Sequence, residues 1–341
     1  MRRPRFGSWI SMKSLAAILV LVVTAAYGCS SGGDDDENGG PGGPGAFNFT
    51  EANMSTAAGI AIGALEILPN FSQITLELLD LIFGVAALQP AVFRPADVVP
   101  GLCQSGQADL DYNLIGLTAT LTFDECDLAG DGTLIDGSVT LAFTGIPQQG
   151  PPLNVGANVT MNVTTTDDVG SQVITGNFGL SIDSVGGLDY TVTFAAEDPD
   201  GYLRSRAGGQ TVTFGCFDIV LTFSILDFEA GYFELSANAV VNANGKIFSI
   251  TSAGFVPLDF EPYPSEDSYP DAGGMRFFSF VLSAEDGCAA VGAPDGVGNS
   301  DGSNFILTAV PGDDDDVTLE LRDSEDAIVS TEDTTWSALT D

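Results

Sequence analysis

Residues Leu117–Phe123, with the sequence LTATLTF, alternate apolar side chains with threonine. Successive side chains of a β-strand point to opposite faces, so this stretch has one apolar face and one threonine face. That division is typical of an antiparallel strand that packs on a core on one side and meets water on the other. The same alternation recurs at Val159–Val163 and Tyr190–Phe194. The pattern therefore predicts a mainly antiparallel β domain.

Further strands are predicted from alternation and from the content of β-branched and aromatic residues. They are Leu134–Phe143, Gln172–Ile182, Gln210–Phe214, Phe217–Ile225, Tyr232–Val241, Lys246–Thr251, Met275–Leu282, Asn304–Val310 and Val317–Leu321. Asp136-Gly137 and Asn244-Gly245 are dipeptides that favour tight hairpin turns. We expect an antiparallel β-sandwich or a curved half-barrel over residues 47–341.

An apolar helical segment is predicted over residues 54–88, ahead of the strands. Pro69-Asn70 divides it into Met54–Leu68 and Ser72–Leu88. Gly59 and Gly63 lie four residues apart in the first piece, where they would allow close packing against a neighbour. A pair of apolar helices in a β-rich chain is expected to cover the hydrophobic face of the sheet.

Residues 1–28 have the pattern of a secretory signal peptide. Basic residues precede the apolar run Leu15–Ala26, and the small residues Ala26 and Gly28 lie just before the expected cleavage point at Cys29. This run is shorter than the ~20 residues that a helix needs to cross a bilayer. The pattern predicts export rather than a permanent membrane span.

Ala26-Tyr27-Gly28-Cys29 resembles the lipobox of bacterial lipoproteins. The resemblance covers only the N-terminal region, and it implies that Cys29 is diacylated and becomes the mature N-terminus. Met12-Lys13-Ser14-Leu15 also looks like a lipoprotein start, so translation begins at Met1 or at Met12. In such lipoproteins an aspartate directly after the cysteine is the signal for retention in the inner membrane. This chain has Ser30 there, so the resemblance implies an outer-membrane lipoprotein, on either the periplasmic or the surface side of that membrane.

Residues 29–46 form a second segment, rich in Gly, Ser, Asp and Pro. Such a composition cannot bury enough apolar surface to fold and is typical of a flexible tether. The expected organisation is a signal peptide over 1–28, an acidic tether over 29–46 and a β-rich exported domain over 47–341. The predicted partner of the N-terminus is a membrane, to which the lipid anchor attaches the protein.

The chain is strongly acidic, with 47 Asp plus Glu against 10 Lys plus Arg. Four of the ten basic residues and none of the acidic ones precede Cys29, so cleavage there leaves 6 against 47, a net charge of −41. A surface of this charge repels nucleic acid and anionic headgroups, which excludes both as partners of the domain.

The 341 residues contain no histidine. This excludes Ser-His-Asp and Cys-His catalysis and the zinc sites that need imidazole. Lys246 is the only lysine after Cys29 and follows a predicted turn, so a Ser-Lys pair has one candidate base. No catalytic motif is recognisable, and the sequence predicts a protein that is not an enzyme.

Four cysteines follow Cys29, and an even number in an exported protein predicts two disulfides. They are Cys103, Cys126, Cys216 and Cys288. Three connectivities are open. We favour Cys103–Cys126 with Cys216–Cys288, because each pair then falls within one half of the chain.

The loop from Asp295 to Asn304 alternates oxygen-bearing side chains with glycine, as calcium loops do. Its candidate ligands are Asp295, Asn299, Asp301 and Asn304. Asp, Asn and Gly are also ordinary turn formers, so a solvated turn is the alternative interpretation. The sequence predicts no cofactor, with calcium as the alternative.

Together these features predict a lipid-anchored protein of the cell envelope with a non-enzymatic structural or surface-interaction role. One alternative is a module that binds a lipid or another hydrophobic ligand between the sheet and the helices. A second alternative is a calcium-binding adhesion-type module.

Overall fold

The computed structural model describes the β-rich part of the chain with several gaps. The described residues are 45–65, 97–98, 103–113, 115–127, 132–144, 154–167, 170–186, 189–196, 201–224, 233–260, 270–279, 301–310 and 315–340. The signal peptide, Cys29, nearly all of the tether, the predicted helix Ser72–Leu88 and Cys288 lie outside them.

Strands dominate the described residues, and two helices flank them in sequence. The strands are β1 Gly45–Ala46, β2 Asp97–Val98, β3 Ser105–Asn113, β4 Thr118–Asp127, β5 Leu134–Phe143, β6 Asn154–Thr166, β7 Ser171–Gly186, β8 Asp189–Ala195, β9 Tyr202–Ala207, β10 Gln210–Ser224, β11 Phe233–Ala243, β12 Lys246–Thr251, β13 Leu258–Phe260, β14 Pro270–Ala272, β15 Gly274–Phe278, β16 Asn304–Ala309, β17 Asp316–Arg322 and β18 Ile328–Thr335. The helices are α1 Met54–Leu65 and α2 Trp336–Thr340.

The strands form one hydrogen-bonded sheet that follows the chain as an antiparallel meander. Each of β2 to β6 pairs with the next strand. The long strand β7 then pairs with β9 along its first half and with β8 along its second half. Both short strands pair with β10 on their other side, so they occupy one position in the sheet.

The second half of the sheet repeats this arrangement. Strand β10 pairs with β11, which pairs with both β12 and β13. Next come β14 and β15, followed by β16, β17 and β18. The short strand β1 is the exception to the antiparallel pattern, because it pairs in parallel with β12. The predicted mainly antiparallel β class is confirmed.

One face of the sheet is buried over most of its strands, whereas β18, at one edge, has no fully buried residue. In β6 the burial alternates without interruption from Val155 to Thr165, with apolar side chains at nearly every buried position. The apolar residues of the other strands join these in one continuous core. The alternation of apolar residues and threonine in the sequence therefore separates the core face from the solvent face.

Helix α1 adds its apolar side chains to this core. Met54, Ala57, Ala58, Ala61 and Ile62 are each at most 3% exposed. The alanines keep the helix narrow and favour its formation, since alanine has the highest helix propensity. No helix in the described part of the chain is both long and apolar enough to cross a membrane.

The predicted N-terminal helical pair is not supported. The first helix is present over Met54–Leu65, and the predicted second one, Ser72–Leu88, lies outside the described residues. The helix that packs on α1 is α2, from the far end of the chain. Gly59 makes the contact close: a Cβ atom there would lie 2.1 Å from the carbonyl oxygen of Leu339.

An aromatic cluster forms the part of the core nearest to α1. The rings of Phe277 and Phe305 stack with centroids 4.2 Å apart. Phe49 meets Phe305 edge-on at 4.9 Å, and Phe248 lies between Phe47 and Phe277. These geometries are the favourable ones for aromatic pairs. The cluster joins the segment before α1 to three strands that are distant in sequence.

The two predicted hairpin turns have different outcomes. Asn244 and Gly245 both have positive φ and connect β11 to β12, so that turn is confirmed. Asp136-Gly137 is not a turn but lies inside β5, and this prediction is wrong. Gly137 has φ +117° because β4 bulges opposite it, and the carboxylate of Asp136 accepts the amide hydrogen of Glu125 in the bulge.

The structure contains the predicted disulfide Cys103–Cys126, which ties the segment before β3 to β4. Cys216 is also disulfide-bonded, and its partner lies outside the described residues. The pairing Cys216–Cys288 stays a prediction.

Removing the first disulfide should destabilise the domain. We expect the double variant Cys103→Ser, Cys126→Ser to lose about 3 kcal/mol of unfolding free energy, because the bridge restricts the unfolded chain. Urea denaturation of both proteins measures the difference. An unchanged midpoint with an unchanged slope would contradict the expectation.

Candidate interaction surface

The structure places two of the four candidate calcium ligands. Asp301 Oδ1 accepts hydrogen bonds from the amide of Ser303 and the hydroxyl of Ser279. Asn304 is only 4% exposed, and its Oδ1 atom accepts two hydrogen bonds from the guanidinium of Arg276, at 2.9 and 2.7 Å. These two side chains are thus held by protein donors.

The other two candidates, Asp295 and Asn299, lie outside the described residues. Within the described ranges, no three His, Cys, Asp or Glu side chains are grouped so as to hold a metal ion. The calcium alternative stays a prediction of the sequence.

Asn304 belongs instead to an ion-pair cluster on the solvent face of β15 to β17. Arg276 pairs with Asp326 and lies over the ring of Phe278, with its Cζ atom 5.0 Å from the ring centroid. Arg322 pairs with Glu320 and with Asp326. The cluster fixes the turn between β17 and β18, since Arg322 also donates to the carbonyl oxygen of Asp326. Both arginines have carboxylate partners.

The solvent face of β4 to β7 carries mostly hydroxyl and amide side chains, and we call it the hydroxyl face. Its residues are Thr118, Thr120, Thr122, Ser138, Thr140, Asn158, Thr160, Asn162, Thr164, Thr175 and Asn177. They lie in register across the strands: Thr120 is opposite Thr140, and Thr140 is opposite Thr160. The hydroxyl oxygens of Thr120 and Thr140 are 3.0 Å apart, within hydrogen-bond distance.

Charged side chains flank the hydroxyl face on the neighbouring strands β3 and β9, in register with its own residues. Asp109 and Asp111 on β3 lie opposite Thr122 and Thr120. Beyond β7, the neighbouring strand β9 points Tyr202, Arg204 and Arg206 to the same solvent face. The surface is therefore acidic at the β3 side and basic at the β9 side, and between them hydroxyl and amide side chains predominate, with Asp136 of β5 and Asp183 of β7 on the same solvent face.

The two arginines of β9 were not predicted as site residues from the sequence. The signal that could have found them is their rarity: Arg204 and Arg206 are two of only six basic residues after Cys29, and they are two positions apart. That spacing places both on one face of a strand.

No family model, no curated protein and no solved structure matches the chain.

Proposed function

We propose that the protein is a lipid-anchored protein of the cell envelope with a non-enzymatic structural or surface-interaction role. The hydroxyl face is the part of the domain that makes the contacts. The single observation that carries this proposal is the separation of the sheet into a buried face that is mostly apolar and a solvent face of mostly hydroxyl and amide side chains. The N-terminal lipobox resemblance supports the anchor, and the tether lets the domain stand clear of the headgroups.

The packing of the apolar face favours a filled core over a binding cavity. Helix α1 contributes five side chains to the core, and α2 adds Trp336, which is fully buried. The indole nitrogen of Trp336 donates to the carbonyl oxygen of Pro270 at 3.0 Å, so the polar end of this side chain is satisfied within the protein. A ligand between the sheet and α1 would have to displace these side chains.

The finer architecture that we propose is the curved half-barrel. A single meander whose buried side chains form one continuous core has to curve, so that side chains from distant strands of the same face pack against one another. Strands have an intrinsic right-handed twist, which helps a sheet to curve, and β-bulges increase the local bend. Bulges occur in β4 and in β10.

The anchor is tested by replacing its acylation site. We expect Cys29→Ala to leave the membrane fraction or to accumulate as an uncleaved precursor, because the cysteine sulfur is the atom that carries the lipid. Fractionation of host cells, followed by mass measurement of the N-terminal peptide, checks this result. The double variant Cys103→Ser, Cys126→Ser is the matched control, since it removes two cysteines that form a disulfide, leaves no unpaired thiol and should leave fractionation unchanged.

Processing that continues normally in Cys29→Ala, and that ignores an inhibitor of the lipoprotein signal peptidase, would contradict the proposed anchor. The alternative ligand-binding role is tested separately by titrating the processed protein with a fluorescent fatty acid. Saturable micromolar binding that is lost in Phe223→Asp, in a variant that still folds, would replace the structural role with a lipid-binding one.

A further inference from the structure

We infer that Tyr202, Arg204 and Arg206 on β9 form a binding site for a small oxyanion, a carboxylate or a phosphate group. This site is separate from the lipid anchor. A negative result for anion binding would therefore leave the proposed anchor unaffected. No sequence motif or comparison assigns it.

Two pairs of arginines in the same sheet differ in their partners. Arg276 and Arg322 each have a carboxylate partner. Within the part of the chain that the structure describes, neither Arg204 nor Arg206 has one. The chain has 47 acidic residues, so an arginine that stabilises the fold has many carboxylates available for an ion pair. Two neighbouring arginines without a carboxylate partner are therefore better explained by a role in binding.

The residues directly beside both arginines on the flanking strands are neutral. Arg204 lies between Thr175 and Thr213, and Arg206 lies between Val173 and Thr211. In the row of Arg206, the first acidic side chain beyond β7 is Asp136, three strand positions away. At the usual strand spacing this is about 14 Å, which is longer than the Debye length of about 8 Å at physiological salt.

Two contacts hold the guanidinium of Arg204 in place. Its Nε atom donates to the hydroxyl oxygen of Thr213 at 3.0 Å, and its Cζ atom lies 5.2 Å from the centroid of the Tyr202 ring. A contact of this kind orients the guanidinium plane and stabilises its charge. The terminal nitrogens of Arg204 have no acceptor among the described residues, so they are available to a ligand.

These features define the chemistry of the ligand. A guanidinium offers two parallel N–H groups that match the two oxygens of a carboxylate or a phosphate, and such bidentate pairs are the strong ones. Arg206 is exposed and supplies a second charge on the same face. The net charge of −37 repels extended polyanions, so the ligand is a small anion or a single anionic group.

The test is an NMR titration of the full processed chain in a neutral detergent, observed at the side-chain Nε–Hε signals of the arginines. Inorganic phosphate and acetate are added at constant ionic strength, with sodium chloride as the reference. We expect saturable shifts of the Arg204 and Arg206 signals with phosphate or acetate, at millimolar concentration, and none with chloride.

Variants locate the site. The variant Arg206→Gln is followed at the Arg204 signal, and Arg204→Gln is followed at the Arg206 signal. We expect each variant to weaken anion binding by about tenfold, because each removes one charge-assisted contact. Lys246→Gln is the matched control, since it removes one exposed positive charge from the turn after β11 and should leave the titration unchanged.

Two results would overturn the proposed site, because both indicate general screening of charge. One is shifts that stay linear with anion concentration, and the other is an equal reduction of the shifts by Lys246→Gln and by the arginine variants. Vesicles of phosphatidylglycerol provide a further arm. Shifts with these vesicles and none with phosphate would overturn the assignment to a small anion in favour of a membrane surface.

Discussion

Phe305→Ala should lower the free energy of unfolding by about 4 kcal/mol, the largest loss that we expect from a single truncation. Phe305 is fully buried, and its ring stacks on Phe277 and meets Phe49 edge-on. The substitution removes both ring contacts and leaves a cavity that rigid neighbouring strands cannot fill. Urea denaturation, followed by the fluorescence of Trp336, measures the change.

Phe278→Ala is the matched control for this experiment. Phe278 is the residue after Phe277, so it points to the opposite face of the same strand, where it is partly exposed and contacts Arg276. We expect it to cost about 1 kcal/mol, since little buried area is lost. Equal losses in the two variants would contradict the assignment of the core face.

Gly59→Val should destabilise the protein by about 3 kcal/mol, although valine has a higher helix propensity than glycine. The first added carbon would lie 2.1 Å from the backbone oxygen of Leu339, and a backbone atom cannot rotate away. Helix α2 would have to move from α1. Because Trp336 begins α2, its emission should shift to longer wavelength as the indole meets water.

Thr56→Val controls for the introduction of a β-branched apolar residue into α1. Thr56 is exposed on the same helix, three residues before Gly59. We expect its unfolding free energy to change by less than about 0.5 kcal/mol, as surface substitutions usually do. A Gly59→Val variant as stable as Thr56→Val, with unshifted emission, would show that the two helices do not pack closely.

The predictability of the strands follows from how deeply they are buried on one face. Leu134–Phe143 and Lys246–Thr251 were predicted residue for residue, because their sequences alternate or are strongly β-branched and aromatic. Strand β18 was missed since none of its residues is fully buried, and an edge strand needs no apolar alternation. Strand β3 was missed because only Ala108 and Leu110 are buried in it.

Local irregularities were harder to predict than strands. Gln210–Phe214 and Phe217–Ile225 were predicted as two strands, but the structure has one strand with a bulge between Gly215 and Asp218. Cys216 has φ +46° there. Asp-Gly suits a bulge partner as well as a turn, and the sequence around Asp136 does not distinguish the two cases. That distinction depends on the neighbouring strand.

The candidate surface was only partly predictable. Alternation in the sequence predicts a polar face for each strand, but the order of the strands decides which polar residues become neighbours. The row that joins Thr120, Thr140 and Thr160 depends on three strands in register. Asn304 was singled out by loop composition alone, whereas its partner Arg276 is 28 residues away in sequence.

We propose that the hydroxyl face contacts other molecules at the cell envelope. The most direct measurement is photo-crosslinking in the host cell, with a photoreactive amino acid placed at one position at a time. Thr160 and Asn162 are exposed near the centre of the hydroxyl face, and Thr56 is exposed on α1 away from it. Each variant is first checked for export and for an unchanged unfolding midpoint.

We predict that Thr160 and Asn162 give discrete crosslinked products, identifiable by mass spectrometry, and that Thr56 gives none. Crosslinking from Thr56 alone, or the absence of products from both positions of the hydroxyl face in cells that contain the anchored protein, would contradict the claim.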